Sequence, residues 1–300
     1  MGSFISTKQF TRKDLEHILD LANDIKLNPE KYKKKLDGKI VSTLFFEPST
    51  RTRLSFETAI LRLGGEVIST ENAIISSSAW KGESLEDTIK IVAGYADCIV
   101  MRNSRNDSSE VADRVSKVPI INAGSGSGEH PTQALLDMFT IRDKKGKIDG
   151  LKVVVSGDLK YSRTIGSILT FLSLYNNITV YGLSRKSFTL SDEMIKFLKD
   201  HNVKYIPCSE YSEIPSDVDV WYHTRTQKER FEGKEIKEEE YIINLEVLNK
   251  FKKVILLHPL PRVNEIAEEV DDDERAVYFE QAHNGVPIRM AILMECLGIK

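Results

Sequence analysis

Between Thr11 and about Lys26 the apolar residues Leu15, Ile18, Leu19, Ala22 and Ile25 recur at helical spacing, which predicts an amphipathic helix. Thr11 and Asp14 sit at its start like a capping pair. Ile40 to Phe46 is an apolar run rich in β-formers, closed by Glu47-Pro48. After it, Leu54, Thr58 and Leu61, and beside them Phe56, Ile60 and Leu63, trace two stripes at helical spacing that end at Gly64-Gly65. The order is strand, turn, helix. Cys98 to Met101 and Pro119 to Asn122 continue it, each an apolar run entering a polar loop, so a parallel sheet is expected.

A second series starts at Gly150. Its expected strands are Lys152 to Ser156, Ile178 to Gly182, Val203 to Ile206, Val218 to His223, Val254 to Leu257 and Ala276 to Phe279, separated by helical or polar stretches. His130 to Arg142, with Ala134, Leu135, Met138 and Phe139 along one side, reads as a helix leading from the first series to the second, and the boundary is placed there. The fold class is α/β, with two units built on parallel sheets. No repeat of 20 to 50 residues is present. The acidic stretch Glu265 to Glu274 and the basic stretch Lys31 to Lys35 read as solvated faces.

Composition narrows the function classes. In 300 residues, 42 Lys and Arg against 45 Asp and Glu give a net charge of −3, which offers no chain-wide basic field for nucleic acid. Cys98, Cys208 and Cys296 are scattered, odd in number and unmatched to any zinc spacing, so neither a disulfide framework nor a metal is indicated. There is no basic-then-apolar leader and no run of about 18 apolar residues. A cytoplasmic, non-membrane protein is expected.

The sharpest local signal is Phe45-Phe46-Glu47-Pro48-Ser49-Thr50-Arg51-Thr52-Arg53. A strand runs into a Ser/Thr-rich turn at the first turn of a helix, where unpaired N–H groups and the positive dipole end favour an anion. Ser49, Thr50 and Thr52 add hydroxyls, and Arg51 adds a charged fork suited to phosphate. Arg53, two residues on, cannot face the same anion equally and is assigned to a structural ion pair. The plain alternative is a Ser49 cap with both arginines solvated. Other strand ends favour the anion site: Arg102 follows Ile99 to Met101, where open α/β sheets place ligands. The Gly/Ser loop Asn122 to Gly128 leads into His130-Pro131-Thr132-Gln133, where Pro131 at a first helical position lets His130 and Gln133 face one bound group.

In the second series Ser156-Gly157-Asp158 ends a strand and is followed by Lys160, Tyr161 and Arg163. If the chain stays extended past His223, Arg225 and Gln227 share a face and could grip a carboxylate. His258-Pro259-Leu260-Pro261-Arg262 is a loop stiffened by two prolines, able to present backbone carbonyls or simply to turn the chain. A nicotinamide-dependent dehydrogenase is the first rival. Its fingerprint is missing: one glycine stands where G-x-G-x-x-G needs three, and no acid follows the next strand.

Six segments together resemble the carbamoyltransferase family, in particular the aspartate carbamoyltransferase catalytic chain. They are Phe-Glu-Pro-Ser-Thr-Arg-Thr-Arg (46 to 53), Val-Met-Arg (100 to 102), His-Pro-Thr-Gln (130 to 133), Gly-Asp-Leu-Lys-Tyr-Ser-Arg-Thr (157 to 164), Thr-Arg-Thr-Gln-Lys-Glu-Arg (224 to 230) and His-Pro-Leu-Pro-Arg (258 to 262). The first and third belong to the family broadly, whereas the last two resemble its aspartate branch. The His-Cys-Leu-Pro and Asp-x-x-x-Ser-Met-Gly segments of the ornithine branch are not found.

The resemblance implies two doubly wound parallel-sheet domains with the active site in the cleft between them. One is residues 1–132 plus a C-terminal helix at 285–300, binding carbamoyl phosphate; the other is 133–284, binding aspartate. It implies transfer of the carbamoyl group to the α-amine of L-aspartate, a step of pyrimidine biosynthesis, with no cofactor and no metal. Ser49, Thr50, Arg51, Thr52 and Arg102 would hold the phosphate. Arg51, Thr52 and His130 would polarise the carbonyl, and Gln133 with the Pro259 and Leu260 carbonyls would receive the carbamoyl amide. Arg163, Arg225 and Gln227 would bind the aspartate carboxylates, and Glu47 would pair with Arg163 and Arg230 on closure. A Ser and a Lys from a neighbouring subunit complete each site in the family. Here they correspond to Ser77, in the run Ser76-Ser77-Ser78, and to Lys81, which would touch both substrates and act in catalysis. Shared sites imply a homotrimer, and family trimers often join a separate regulatory chain. Ornithine as acceptor, or a non-catalytic phosphate-ligand binder, remain the alternatives.

Overall fold

The computed structural model describes residues 2–71, 82–126, 128–227 and 239–300. The chain divides into two compact units, residues 1–135 with 284–300 and residues 136–283.

In the first unit, β1 (Ile40–Phe45), β2 (Glu66–Glu71), β3 (Cys98–Asn103) and β4 (Ile120–Ser125) form one parallel sheet in the order β2-β1-β3-β4. Helices α1 (Arg12–Leu27), α2 (Thr50–Arg62), α3 (Leu85–Val92) and α4 (Ser108–Val115) belong to the same unit. α1 starts as its sequence demands: Thr11 Oγ1 accepts from the Asp14 N–H at 3.3 Å while Asp14 Oδ2 accepts from the Thr11 N–H at 2.9 Å. Leu15, Ile18, Leu19, Ala22 and Ile25 form its buried face. On α2 only one of the two stripes is core. Phe56, Ile60 and Leu63 are fully buried, but Leu54 and Leu61 are 49% and 59% exposed.

β2 escaped sequence reading because it is an edge strand. Its sequence, Glu-Val-Ile-Ser-Thr-Glu, is half exposed and gives no apolar run, whereas β3 is buried at every residue except Arg102. β4 also runs further than expected. It continues through Ser125, so most of the Gly/Ser segment is strand, not loop. Buried hydroxyls hold that end: Ser125 Oγ lies 2.6 Å from Ser109 Oγ and 3.2 Å from Ser108 Oγ, and Asn122 Oδ1 accepts from the Gly124 N–H at 2.8 Å.

In the second unit, β5 (Lys152–Ser156), β6 (Thr179–Leu183), β7 (Lys204–Cys208), β8 (Val220–His223) and β9 (Ile255–Leu257) form a parallel sheet in the order β7-β6-β5-β8-β9. Helices α6 (Arg163–Leu172), α7 (Asp192–Asp200) and the single turn α8 (Leu245–Leu248) accompany it. The unit boundaries fall within α5 (Pro131–Lys145) and α9 (Tyr278–Cys296). Trp221 and Phe251 meet edge to face at 5.0 Å in a core with Val154, Leu256 and Tyr278.

Two expectations need correction here. Ala276 to Phe279 is not a strand: the chain makes two ladder bonds beside β9, Leu256 N–H to Arg275 O and Val277 N–H to Leu256 O, and Tyr278 then opens α9. That helix does not span 285–300. It starts before Gly285 and Pro287, passes through both, and ends at Cys296, where Gly298 at φ +66° lets the Gly298 and Ile299 N–H groups bond the Glu295 and Met294 carbonyls. β8 ends at His223, as expected, and the Thr224 N–H still bonds the Ser156 carbonyl at 2.9 Å.

Candidate active site

Both sheets reverse their winding direction at an inner strand pair, β1/β3 in the first unit and β5/β8 in the second. Ligands of open α/β sheets bind beyond the carboxyl ends of such a pair. Ser49 and Arg102 stand at the first of these points; Gly157, Asp158 and Arg225 stand at the second.

At the first point the register pairs Phe45 with Arg102, and the Phe46 N–H bonds the Arg102 carbonyl at 2.9 Å. Ser49 is the N-cap residue of α2, but its side chain makes no capping bond. Its Oγ instead accepts from Arg102 Nη1 at 3.1 Å, while Arg102 Nε donates to Glu47 Oε1 at 2.6 Å. The first-turn N–H groups of α2 are therefore left to an incoming anion rather than consumed by a cap. Arg51 is exposed overall, and partial desolvation, and after it the positive charge of Arg102, lowers its pKa. Thr52 is buried and Thr50 exposed. Arg53 points elsewhere: it donates to Glu57 at 3.3 Å and to Glu71 at 2.9 Å, an ion pair within the unit.

His130 and Gln133 are both buried at the start of α5, where the Gln133 and Ala134 N–H groups bond the His130 carbonyl at 3.0 and 3.2 Å. Thr132 Oγ1 lies 3.5 Å from His130 Nδ1. The residue before them, Glu129, carried no motif, yet it anchors this corner. Its carboxylate accepts from Ser6 Oγ at 2.8 Å, the Thr7 N–H at 2.6 Å and Thr7 Oγ1 at 2.9 Å.

At the second point Asp158 plays the corresponding part. It is fully buried; Oδ1 accepts from the Lys160 and Tyr161 N–H groups at 3.2 and 2.8 Å, and Oδ2 from the Gln227 N–H at 3.0 Å. It thus ties the loop after β5 to the segment carrying Arg225 and Gln227. Arg225 Nη1 donates to the Thr226 carbonyl and Gln227 Nε2 to the Arg225 carbonyl. Gly157 makes the approach feasible: at φ +95° a Cβ there would lie 2.0 Å from the Thr224 carbonyl oxygen. Arg163 opens α6 and is buried.

The loop from His258 to Arg262 follows β9, with Pro259 and Leu260 half-buried. The acidic stretch after it is solvated only in part: Glu268, Glu269, Asp272 and Glu274 are exposed, but three of its carboxylates have partners. Glu265 is only 2% exposed, with Oε1 2.8 Å from His258 Nε2. Asp271 pairs with Arg262 and Tyr278, and Asp273 with Arg275. Burial raises the Glu265 carboxyl, but the His258 contact and the Val263 N–H outweigh it and hold its pKa at about 2. Ser77 (with Ser76 and Ser78), Lys81 and Arg230 lie outside the described residues. Among the described residues no cluster of His, Cys, Asp and Glu could hold a metal ion, and no helix is long and apolar enough to cross a membrane.

Comparison with known proteins agrees across both units. Residues 3–143 match the family model for the aspartate/ornithine carbamoyltransferase carbamoyl-P binding domain, and residues 149–296 match that for the Asp/Orn binding domain. The chain is 46% identical to an aspartate carbamoyltransferase catalytic subunit of Clostridium novyi, covering 99% of this chain and 98% of the relative. It is 47% identical, at the same coverage, to that of Methanocaldococcus jannaschii. A solved structure of the M. jannaschii catalytic subunit superposes with TM-score 0.92 at 45% identity, over 99% of this chain and 98% of that one. A Trypanosoma cruzi aspartate transcarbamoylase in complex with carbamoyl phosphate and aspartate superposes at 0.90 with 35% identity, over 97% and 95%.

Proposed function

The chain belongs to the aspartate/ornithine carbamoyltransferase family, and from that premise we propose that it transfers the carbamoyl group of carbamoyl phosphate to the α-amine of L-aspartate, giving N-carbamoyl-L-aspartate and phosphate. The observation that carries this reading is the pair of like-charged guanidinium groups, Arg51 and Arg102, beside a first helical turn whose N-cap side chain makes no capping bond. Glu47 already neutralises part of the Arg102 charge, and the first-turn N–H groups of α2 add the donors that favour a further anion.

In this reading Ser49, Thr50, Arg51, Thr52 and Arg102 bind the phosphate, and Arg163, Arg225 and Gln227 bind the two carboxylates of aspartate. Gln133 and the carbonyls of Pro259 and Leu260 accept from the carbamoyl –NH2 and fix its plane. The amine lone pair attacks the carbamoyl carbon, negative charge grows first on the carbonyl oxygen and then on the departing phosphate as the C–O bond breaks, and the proton lost by the amine leaves on that phosphate. Arg51, Thr52 and His130 face the first; the α2 N-terminus and Arg102 face the second. Donors fixed before the reaction stabilise that charge without reorganising, and one such donor is typically worth about 3 kcal/mol. Holding both anions side by side removes the entropy of their encounter.

The same proposal includes a homotrimer in which Ser77 and Lys81 of a neighbour complete the site, Lys81 touching both substrates. The uncovered apolar side of α2 supports an interface there: Leu54 and Leu61 are exposed, as is Ile68 (40%) on the neighbouring edge strand β2. Unpaired Cys98, Cys208 and Cys296 fit a reducing cytoplasm. One assay tests the function: purified protein is given carbamoyl phosphate with aspartate or with ornithine, and phosphate release is followed. Release with aspartate alone is expected. Release with ornithine alone would move the chain to the other branch, and release with neither would leave a binding protein.

A further inference from the structure

The second unit contains a chain of buried polar groups that none of the roles above uses. The His258 N–H donates to Gln281 Oε1 at 2.9 Å, and Gln281 Nε2 donates to Asp137 Oδ1 at 2.6 Å. All three side chains are buried. At the other end, Glu265 Oε2 accepts from the Val263 and Asn264 N–H groups at 2.9 and 3.0 Å, and Arg262 is gripped by Asp271 and by Tyr278. The loop between is thus pinned on both sides. Its centre is pinned by the histidine itself, because the Leu260 N–H donates to His258 Nδ1 at 2.8 Å.

That last bond fixes the state of the ring. Nδ1 must offer a lone pair, so the proton sits on Nε2, which faces Glu265 Oε1 at 2.8 Å in an electrostatic contact rather than an aligned hydrogen bond. Glu265 therefore selects the tautomer that can accept from Leu260. Leu260 needs such a holder. It sits at φ +55°, a left-handed conformation that a leucine leaves unless its surroundings impose it. Release of its N–H would let the residue return to ordinary backbone angles, and the peptide planes on either side would turn with it.

We propose that His258, Glu265 and Gln281 form a positioning device that aims the Pro259 and Leu260 carbonyls at the carbamoyl nitrogen. The proposal rests on the carbamoyltransferase reading above, which gives those carbonyls their ligand. His258 and Glu265 touch no substrate; they act through the backbone of Leu260.

The test is steady-state kinetics of the full-length protein, with KM for carbamoyl phosphate measured at saturating aspartate and thermal midpoints recorded beside it. Loss of a hydrogen bond of this kind predicts a rise of about tenfold in that KM for His258→Ala. His258→Asn places an amide oxygen near the Nδ1 position and is expected to recover most of the loss. Glu265→Gln keeps the volume and the acceptor for Val263 and Asn264, and guards against a His258→Ala chain that does not fold. It should raise the same KM about threefold to fivefold by freeing the tautomer. If Glu265→Gln, and His258→Ala where it folds, show a lowered thermal midpoint but an unchanged carbamoyl phosphate KM, the network only stabilises the fold and the proposal fails. An inactive wild-type protein that also binds no carbamoyl phosphate by calorimetry would instead overturn the carbamoyltransferase reading, and this proposal with it.

Discussion

His223 makes the second unit sensitive to mild acid, and the size of the effect follows from its surroundings. The ring is fully buried at the carboxyl end of β8, where its Nδ1 lies 2.6 Å from Ser156 Oγ, and that hydroxyl accepts from Trp221 Nε1 at 2.7 Å. The imidazole buried there is neutral. Burial, and next the nearby His258, push its pKa from 6.5 down to about 4, against a smaller opposing pull from Glu265. The unfolded chain therefore takes up a proton that the folded chain refuses. Stability from this group is complete above pH 6.5 and is lost as pH falls towards 4. With those two values the linkage relation gives a loss of about 2 kcal/mol between pH 7 and pH 5, and about 3 kcal/mol once pH is below 4. Glu265, held at about 2, costs stability only below the ordinary carboxylate range, so it does not contribute in the pH 5 to 7 window. Urea unfolding followed by circular dichroism at pH 7, 6 and 5 measures the slope. A His223→Asn variant, which keeps a polar atom near Ser156 but cannot titrate, should lose about 2 kcal/mol less than wild type across that window. Parallel curves for the two proteins would refute the assignment.

Other consequences can be measured separately. Gly157→Ala puts a Cβ against the Thr224 carbonyl at a positive φ, and the combined strain and overpacking should lower stability by about 2 to 5 kcal/mol in thermal melts. Arg51→Ala should reduce kcat/KM by about 100-fold or more. Arg53→Ala, which loses the partly exposed Glu57 and Glu71 pairs and a long bond to Ser69, should cost about 1 kcal/mol of stability with KM for carbamoyl phosphate within twofold of wild type. Equal kinetic damage from both arginines would contradict the separation of their roles. In the proposed homotrimer, Leu61→Asp places a charge on the uncovered side of α2 and should shift sedimentation from trimer to monomer; a trimer that persists would contradict an interface on this face.

Much of the sheet framework was legible because the strands at both winding reversals are buried on two faces and so read as unbroken apolar runs. Ile-Val-Met in β3 and Val-Val-Val-Ser in β5 need no partner to declare themselves. β2 was not legible for the opposite reason, since an edge strand keeps polar residues and lacks a run. The apolar stripe of Leu54 and Leu61 shows a different limit. Periodicity reveals that one side of a helix is apolar, but not whether the same chain covers it. Arg53 could be separated from Arg51 because helix geometry alone forbids both from facing one point.

The supporting shell of the candidate site was invisible to sequence reading. Glu129, Asp158 and Glu265 are single carboxylates whose partners are backbone N–H groups or residues distant in the chain. None forms a motif. Glu265 was hidden further by its place at the head of an acidic run, where the average over the segment suggested solvent. What distinguishes it is the apolar Ile266 beside it and the buried His258, and that second fact exists only after folding.

The most direct test of the central claim is a crystal structure of the protein with a non-hydrolysable mimic that joins a phosphonate to aspartate. The account predicts the Arg51 and Arg102 guanidinium groups and the first-turn N–H groups of α2 on the phosphonate, and Arg163, Arg225 and Gln227 on the carboxylates. A mimic bound with Arg51, Arg102 and Arg225 all directed away from it would contradict the account.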